Sequence, residues 1–306
     1  MRYVIFICLF VQFHLISMGQ SIPVYSQYII NGLLINPAYA GSRDVLSTVI
    51  SYRDQWTGFP GTPVTQTLTG HMPLQNKSLA LGLIITNESI GVINNTGIFG
   101  NYAYRVRLNS GMLAFGVKAG VQLYKENDYQ LYIKDPGDYV FSNNGNYILP
   151  NFGAGVYYYN STCFAGLSLP TILSYRESPG GNSYDAYNNA QNYNFMFFGG
   201  CLINVTDEFK LKPSALLQYT LNSGFQYDLN LNAILLKDGL LSVGTSYREK
   251  DAIAGMVEVQ LNTQLRIGYS YDFTINTPGN YSGGTHEITI RYEFKYIVNA
   301  LNPRFF

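Results

Sequence analysis

Histidine and cysteine are the side chains from which most enzymatic chemistry is built, and this chain has only three of each. His14 and Cys8 fall in an apolar stretch at the very start. His71 and His286 fall in two separate extended segments, and no metal-ligand spacing surrounds either. The plain expectation for both is a polar residue of a lumen or rim. Gly166-Leu167-Ser168-Leu169-Pro170 lacks the second glycine of a nucleophile elbow and sits in a strand. No glycine loop of phosphate-binding type leads into a helix. Catalytic, cofactor-binding and metal-ligating residues are therefore all expected to be none. Cys163 and Cys201 share the apolar parity of two strands expected to be antiparallel neighbours. Two readings stay open for them: small lipid-facing residues, or a cross-strand disulfide in an oxidising compartment.

Charge is the second place to look for chemistry. Lys210, Lys212, Asp228, Glu258, Arg266, Arg291 and Glu293 fall on the polar parity of extended segments. Facing lipid near its midplane, a Lys or Arg would cost about 2–4 kcal/mol, so parity and cost together point these groups inward. They form either a selective channel lining or a ladder of charges satisfied across neighbouring strands.

The elements that must hold these groups are strands. In residues 285–295, Ile288, Ile290, Tyr292 and Phe294 share one face, and Glu287, Thr289, Arg291 and Glu293 the other. The same period of two puts Leu265, Ile267, Tyr269, Tyr271 and Phe273 opposite Arg266, Gly268, Ser270 and Asp272. Repeated with no helical run between, it predicts an all-β, transmembrane antiparallel β-barrel of about 14 strands, at 45–54, 63–72, 78–87, 95–107, 111–125, 147–158, 162–170, 191–204, 208–220, 225–236, 240–249, 252–260, 263–273 and 285–295. Arg and Glu on the inner face argue against a dry core. The connections alternate between tight turns and long polar loops, at 126–146, 171–190 and 274–284, as in outer-membrane barrels with short periplasmic turns and long outer loops.

Composition agrees with an outer-membrane location. Charged residues are 12% of the chain, half of the roughly 25% usual in soluble domains. Aromatics reach 15%, with 27 Tyr, the kind of ring that gathers at membrane interfaces. The formal net charge of zero gives no field for nucleic acid. Arg2, the apolar run 3–16 and the small residues Ser17 and Gly19 read as a secretory signal peptide. The expected organisation is a signal peptide at 1–19, an N-terminal periplasmic lead or plug at 20–44, the transmembrane barrel at 45–295 and a periplasmic tail at 296–306.

One block carries a resemblance. Ser26-Gln27-Tyr28, Asn36-Pro37-Ala38-Tyr39-Ala40-Gly41, Tyr52-Arg53-Asp54-Gln55-Trp56, and Pro63 with Thr65-Gln66-Thr67 closely resemble the opening of the PorP/SprF family of Bacteroidetes outer-membrane proteins. Pro303-Arg304-Phe305-Phe306 is similar to that family's ending, although Asn302 stands where a Cys is common. The resemblance implies a non-enzymatic barrel of the type IX secretion system. Its partners would be outer-membrane lipid, type IX secretion components and the C-terminal domain of a cargo adhesin, with no cofactor and no nucleic acid. Such a barrel would help secrete the adhesin or attach it to the cell surface, in gliding cells among others. The rival expectation is a diffusion channel or uptake barrel for a small or hydrophobic solute. The stretch 53–60 is expected to top the first hairpin, either as an aromatic girdle with a turn or as a docking rim.

Overall fold

A computed structural model of the chain describes residues 25–58, 60–75, 77–126, 145–178, 183–236 and 239–294. The expected signal peptide, nearly all of loop 126–146, and the tail 296–306 with Pro303, Arg304, Phe305 and Phe306 lie outside the described residues.

The alternation becomes seventeen strand segments: β1 Leu46–Asp54, β2 Val64–Pro73, β3 Leu79–Ile90, β4 Ile93–Leu108, β5 Gly111–Glu126, β6 Asn146–Tyr159, β7 Cys163–Leu169, β8 Ser174–Glu177, β9 Tyr184–Tyr187, β10 Phe195–Cys201, β11 Ile203–Asn204, β12 Phe209–Thr220, β13 Gly224–Leu235, β14 Leu241–Arg248, β15 Ala252–Gln260, β16 Leu265–Thr274 and β17 Thr285–Phe294. β8 and β9 form a hairpin of their own, and β11 continues β10 past Leu202, which leaves fourteen barrel strands. Every neighbour is antiparallel. β10 pairs with both β7 and β12, and β17 returns to β1, with Leu46 opposite Phe294 and Asp54 opposite His286. Closure leaves the sheet no free edge, the condition for strands to cross lipid.

The outward parity is large and apolar: Ile50, Leu83, Val117, Phe197, Leu229 and Phe273 are all exposed. That face is the lipid belt. At one end of the barrel the consecutive strands are joined by short connections, at 74–78, 109–110, 160–162, 205–208, 236–240 and 261–264. The opposite end carries the long connections, together with three tight ones at 91–92, 221–223 and 249–251.

Three expectations need correction. The loop expected at 171–190 contains the β8–β9 hairpin, where Tyr175, Tyr184 and Tyr187 supply the aromatic content that favours strands. The strand expected from 191 starts at Phe195 instead. Asn189 caps a 3-10 turn over Ala190–Asn192 by accepting from the Gln191 amide, which takes that stretch out of the sheet. Most of all, the interior is partly dry. Tyr157, Tyr159, Phe164, Met196, Phe198 and Leu216 point inward and are buried together, where inward charges alone suggested water.

Cys163 and Cys201 stand directly opposite each other on β7 and β10 and form a disulfide. The pair faces the outer side beside the short-turn end, with Leu167 and Phe197 on the same parity.

Candidate functional site

The site is the lumen, and residues 25–45 of the chain itself occupy it. Two 3-10 turns, Gly32–Leu34 and Pro37–Tyr39, shape this segment. Asn36 starts the second. Its Oδ1 accepts the Ala38 amide at 2.8 Å, and its Nδ2 donates to the carbonyls of Val156 (2.9 Å) and Leu167 (3.3 Å). One amide side chain thus caps the turn and ties it to β6 and β7. Pro37 follows at the first position, where its missing N–H costs nothing.

Small residues make the seat. A Cβ at Gly116 would lie 2.2 Å from the Ala38 nitrogen, and one at Gly155 would lie 2.2 Å from Asn36 Oδ1. Glycine there lets the turn approach the wall backbone to backbone. Around that point Tyr39 packs on Tyr157 with ring centroids 5.5 Å apart, Tyr157 stacks on Phe198 at 5.5 Å, and Leu33 and Ile35 complete the cluster. Lys118, buried on β5, lies over the Phe99 ring at 4.6 Å.

The opposite wall is ionic. Ser26 is fully buried; its hydroxyl donates to Asp272 at 2.6 Å and accepts from Arg53 (3.0 Å) and Arg248 (3.1 Å), while its amide donates to Glu287 at 2.9 Å. Arg53 bridges Asp272 at 2.9 Å and Glu287 at 3.0 Å. Arg248 reaches Asp228 at 3.2 Å and Asp251 at 2.9 Å. Asn230 donates to the Tyr28 hydroxyl at 2.6 Å, and burial, with the nearby Asp228 charge, raises that phenol's pKa well above its ordinary value. Gln27 donates to the Glu287 carbonyl at 3.1 Å. Thr69 of β2 donates to Asn31 at 2.9 Å.

The segment leaves the lumen at the short-turn end. There the Gly41 amide donates to His71 Nδ1 at 3.0 Å, Arg105 donates to the Gly41 carbonyl and pairs with Asp44 at 2.8 Å, and Arg43 pairs with Glu293 at 2.5 Å. His286, by contrast, sits on the outward parity, with its Nδ1 2.8 Å from the Tyr269 hydroxyl. The two histidines lie on opposite faces of the wall.

Of the residues singled out from sequence, Ser26, Gln27, Tyr28, Asn36, Pro37, Ala38, Tyr39, Ala40 and Gly41 are buried in the segment, and Arg53 and Thr65 in the wall facing it. Tyr52 and Gln66 are cross-strand partners on the outer face. Gln55, Trp56 and Pro63 form the rim above β1 and β2: the Gln55 amide donates to the Pro63 carbonyl, and the Trp56 amide to Thr285 Oγ1 at 3.1 Å. Lys212, Asp228, Glu258, Arg266 and Arg291 are buried on inward positions, with Lys210 and Glu293 half-buried. Sequence reasoning put Asp272 and Glu287 on the polar face without giving them a role, and passed over Arg248 altogether. Inward parity next to another buried charge was the signal that could have found them.

At the rim with long connections, Trp56, Thr62, Pro63, Ile90, Pro278 and Tyr281 line an open groove of ≈390 Å³. Farther round, Tyr184 of the β8–β9 hairpin packs edge-on against Tyr147 at 4.7 Å and Tyr124 at 5.5 Å.

A closed fourteen-stranded sheet, apolar outside and lined inside by buried ion pairs on one wall and an aromatic cluster on the other, defines an outer-membrane β-barrel. Among solved structures, the CymD monoaromatic hydrocarbon channel shares the fold at 10% identity and a TM-score of 0.51, covering 91% of this chain and 95% of that one. Omp33 of Acinetobacter baumannii is 8% identical, with a TM-score of 0.47 over 82% of this chain and all of that one. No curated protein sequence matches the chain. The family described as type IX secretion system membrane protein PorP/SprF matches residues 17–292, and the chain belongs to it. This is an outer-membrane protein of a secretion family, not of an enzyme family.

Proposed function

We propose that the barrel acts as a closed anchor for type IX cargo: it holds the C-terminal domain of an adhesin at the outer rim and does not conduct solutes. The observation that carries this reading is the occupied lumen. Segment 25–45 bonds or packs to β1, β2, β4–β7, β13, β14, β16 and β17, so little free cross-section remains for diffusion. In this reading residues 20–44 are a plug, 1–19 a leader and 296–306 a periplasmic tail. The short turns then face the periplasm. The rim groove and the hairpin tyrosines face outward, where aromatic rings with polar neighbours suit protein recognition.

The rival is a diffusion channel, which has the fold likeness to a hydrocarbon channel on its side. Planar-bilayer recording on the purified chain separates the two. The anchor reading expects a silent barrel, and expects the adhesin to co-purify with it from native cells. A large, steady conductance with residues 25–45 intact would favour the channel and overturn the proposal.

A further inference from the structure

The internal segment has a direction. Its later part is held at the short-turn end, where Gly41 meets His71 and Arg43 pairs with Glu293. Its first part is held at the other end. Ser26 bonds to Arg53, next to the last residue of β1, to Arg248, the last residue of β14, and to Glu287, the third residue of β17. The Tyr25 phenol lies within electrostatic reach of Glu287, Arg53 and Glu88, and Glu88 is close to the end of β3. The chain therefore runs through the lumen from the rim with long connections to the short turns, and Tyr25 stands just below that rim.

The open groove of ≈390 Å³ lies beside these anchors. Three adjacent connections line it: Trp56 and Pro63 come from the one between β1 and β2, Ile90 from the turn after β3, and Pro278 and Tyr281 from the one between β16 and β17. Arg53 is three residues from Trp56, and Glu88 is two from Ile90. The groove is apolar and open, with Tyr281 79% exposed, and an apolar patch of this kind marks a place to be covered. Trp56 has a φ of 55°, a left-handed backbone rare for so bulky a residue. Bonds from the amides of Gln55, Trp56 and Thr57 to Pro63, Thr285 and Gly284 fix it there. Such an over-determined conformation is a mark of a functional position.

The residues that precede Tyr25 match the groove. Val24, Pro23 and Ile22 are apolar, and they lie outside the described residues. Three extended residues span about 10 Å, and two or three strand residues, about 7–10 Å, separate the anchors from the groove. Pro23 fixes its own φ and holds Ile22 extended. Extended proline segments seat in grooves lined by aromatic rings. We propose that Ile22, Pro23 and Val24 lie in this groove as a strap against Trp56 and Tyr281, so that the start of the chain is fastened at both ends of the lumen. Under the anchor reading, a cargo that docks in the groove has to displace the strap; the strap itself does not depend on that reading.

Trp56 is the sole tryptophan, so its fluorescence reports on the groove. In the detergent-purified full chain, the double variant Ile22→Ser, Val24→Ser should shift the Trp56 emission to the red. Acrylamide quenching should rise roughly twofold or more once the apolar cover is lost. Val205→Ser, at an exposed short turn of the opposite end, should leave both readings unchanged. Trp56 as quenchable in the parent as in the double variant overturns the strap. So does an N-terminus, read by sequencing of the purified chain, that begins after Val24. Should the double variant not fold, Val24→Cys combined with Pro278→Cys decides: a disulfide between the two on mild oxidation supports the strap, and free thiols at both positions refute it.

Discussion

The two walls of the lumen hold the same segment by different physics. Across β4–β7 and β10, small residues open a seat, and Tyr157, Phe164 and Phe198 pack apolar surface against Tyr39 and Ile35. Across β13, β14, β16, β17 and β1, buried carboxylates and guanidiniums converge on Ser26 and Tyr28. The first wall tolerates exchange of one apolar shape for another of equal volume. The second does not tolerate the loss of one partner, because the other charge stays behind, buried and unpaired. Shape secures the segment on one side and charge balance on the other.

Changes on each wall can break or sharpen this contrast. The largest effect is expected on the ionic side. Arg53→Met strands Glu287 and leaves Asp272 only the longer 3.5 Å pair with Arg248, and should cost about 3–5 kcal/mol in denaturant unfolding from detergent or bilayer. The triple variant that also carries Asp272→Asn and Glu287→Gln should regain a substantial part of that loss. Next comes Gly116→Val on the shape side, which drives a side chain into the backbone of Ala38. A loss of about 1–3 kcal/mol is expected, together with new protease cleavage within 25–45. Gly255→Ala is the matched control. Nothing lies within 4 Å of its added carbon, so it should stay within about 0.5 kcal/mol of the parent. On the ionic wall, Ser26→Ala should cost less than Arg53→Met, because the neighbouring charges still pair with one another; a loss of about 1–2 kcal/mol is expected in the same assay. If Ser26→Ala proved as damaging as Arg53→Met, the hydroxyl rather than the ion pairs would be holding that wall.

Much of the barrel was legible because alternation is local. The face assignments of Ile288, Glu287, Ile290 and Arg291 follow from a period of two, and burial agrees with them. What escaped were matters of distance. Ser26 meets Asp272 across 246 residues of sequence and Glu287 across 261, and no window along the chain brings them together. The inward turn of Tyr157 and Tyr159 was half visible, since three consecutive tyrosines cannot all face lipid. Their use as the seat of an internal segment was not visible, because the glycines that make room for it, Gly116 and Gly155, look like ordinary strand-weakening residues when read alone. The β8–β9 hairpin was hidden for a plainer reason: two four-residue strands amid Asn, Ser and Gly offer too few alternations to stand out.

The meeting of β1 with β17 has a consequence for the order of assembly. The shape-bearing half of the cradle needs only a contiguous run of strands, β3 to β12, and exists as soon as that run has formed. The charged half draws Arg53 from the first strand and Glu287 from the last, so it comes into being only when the ring shuts. Shutting the ring and locking the beginning of the chain inside it are therefore a single event, and a cylinder left ajar between those two strands would be one that has let go of its own start.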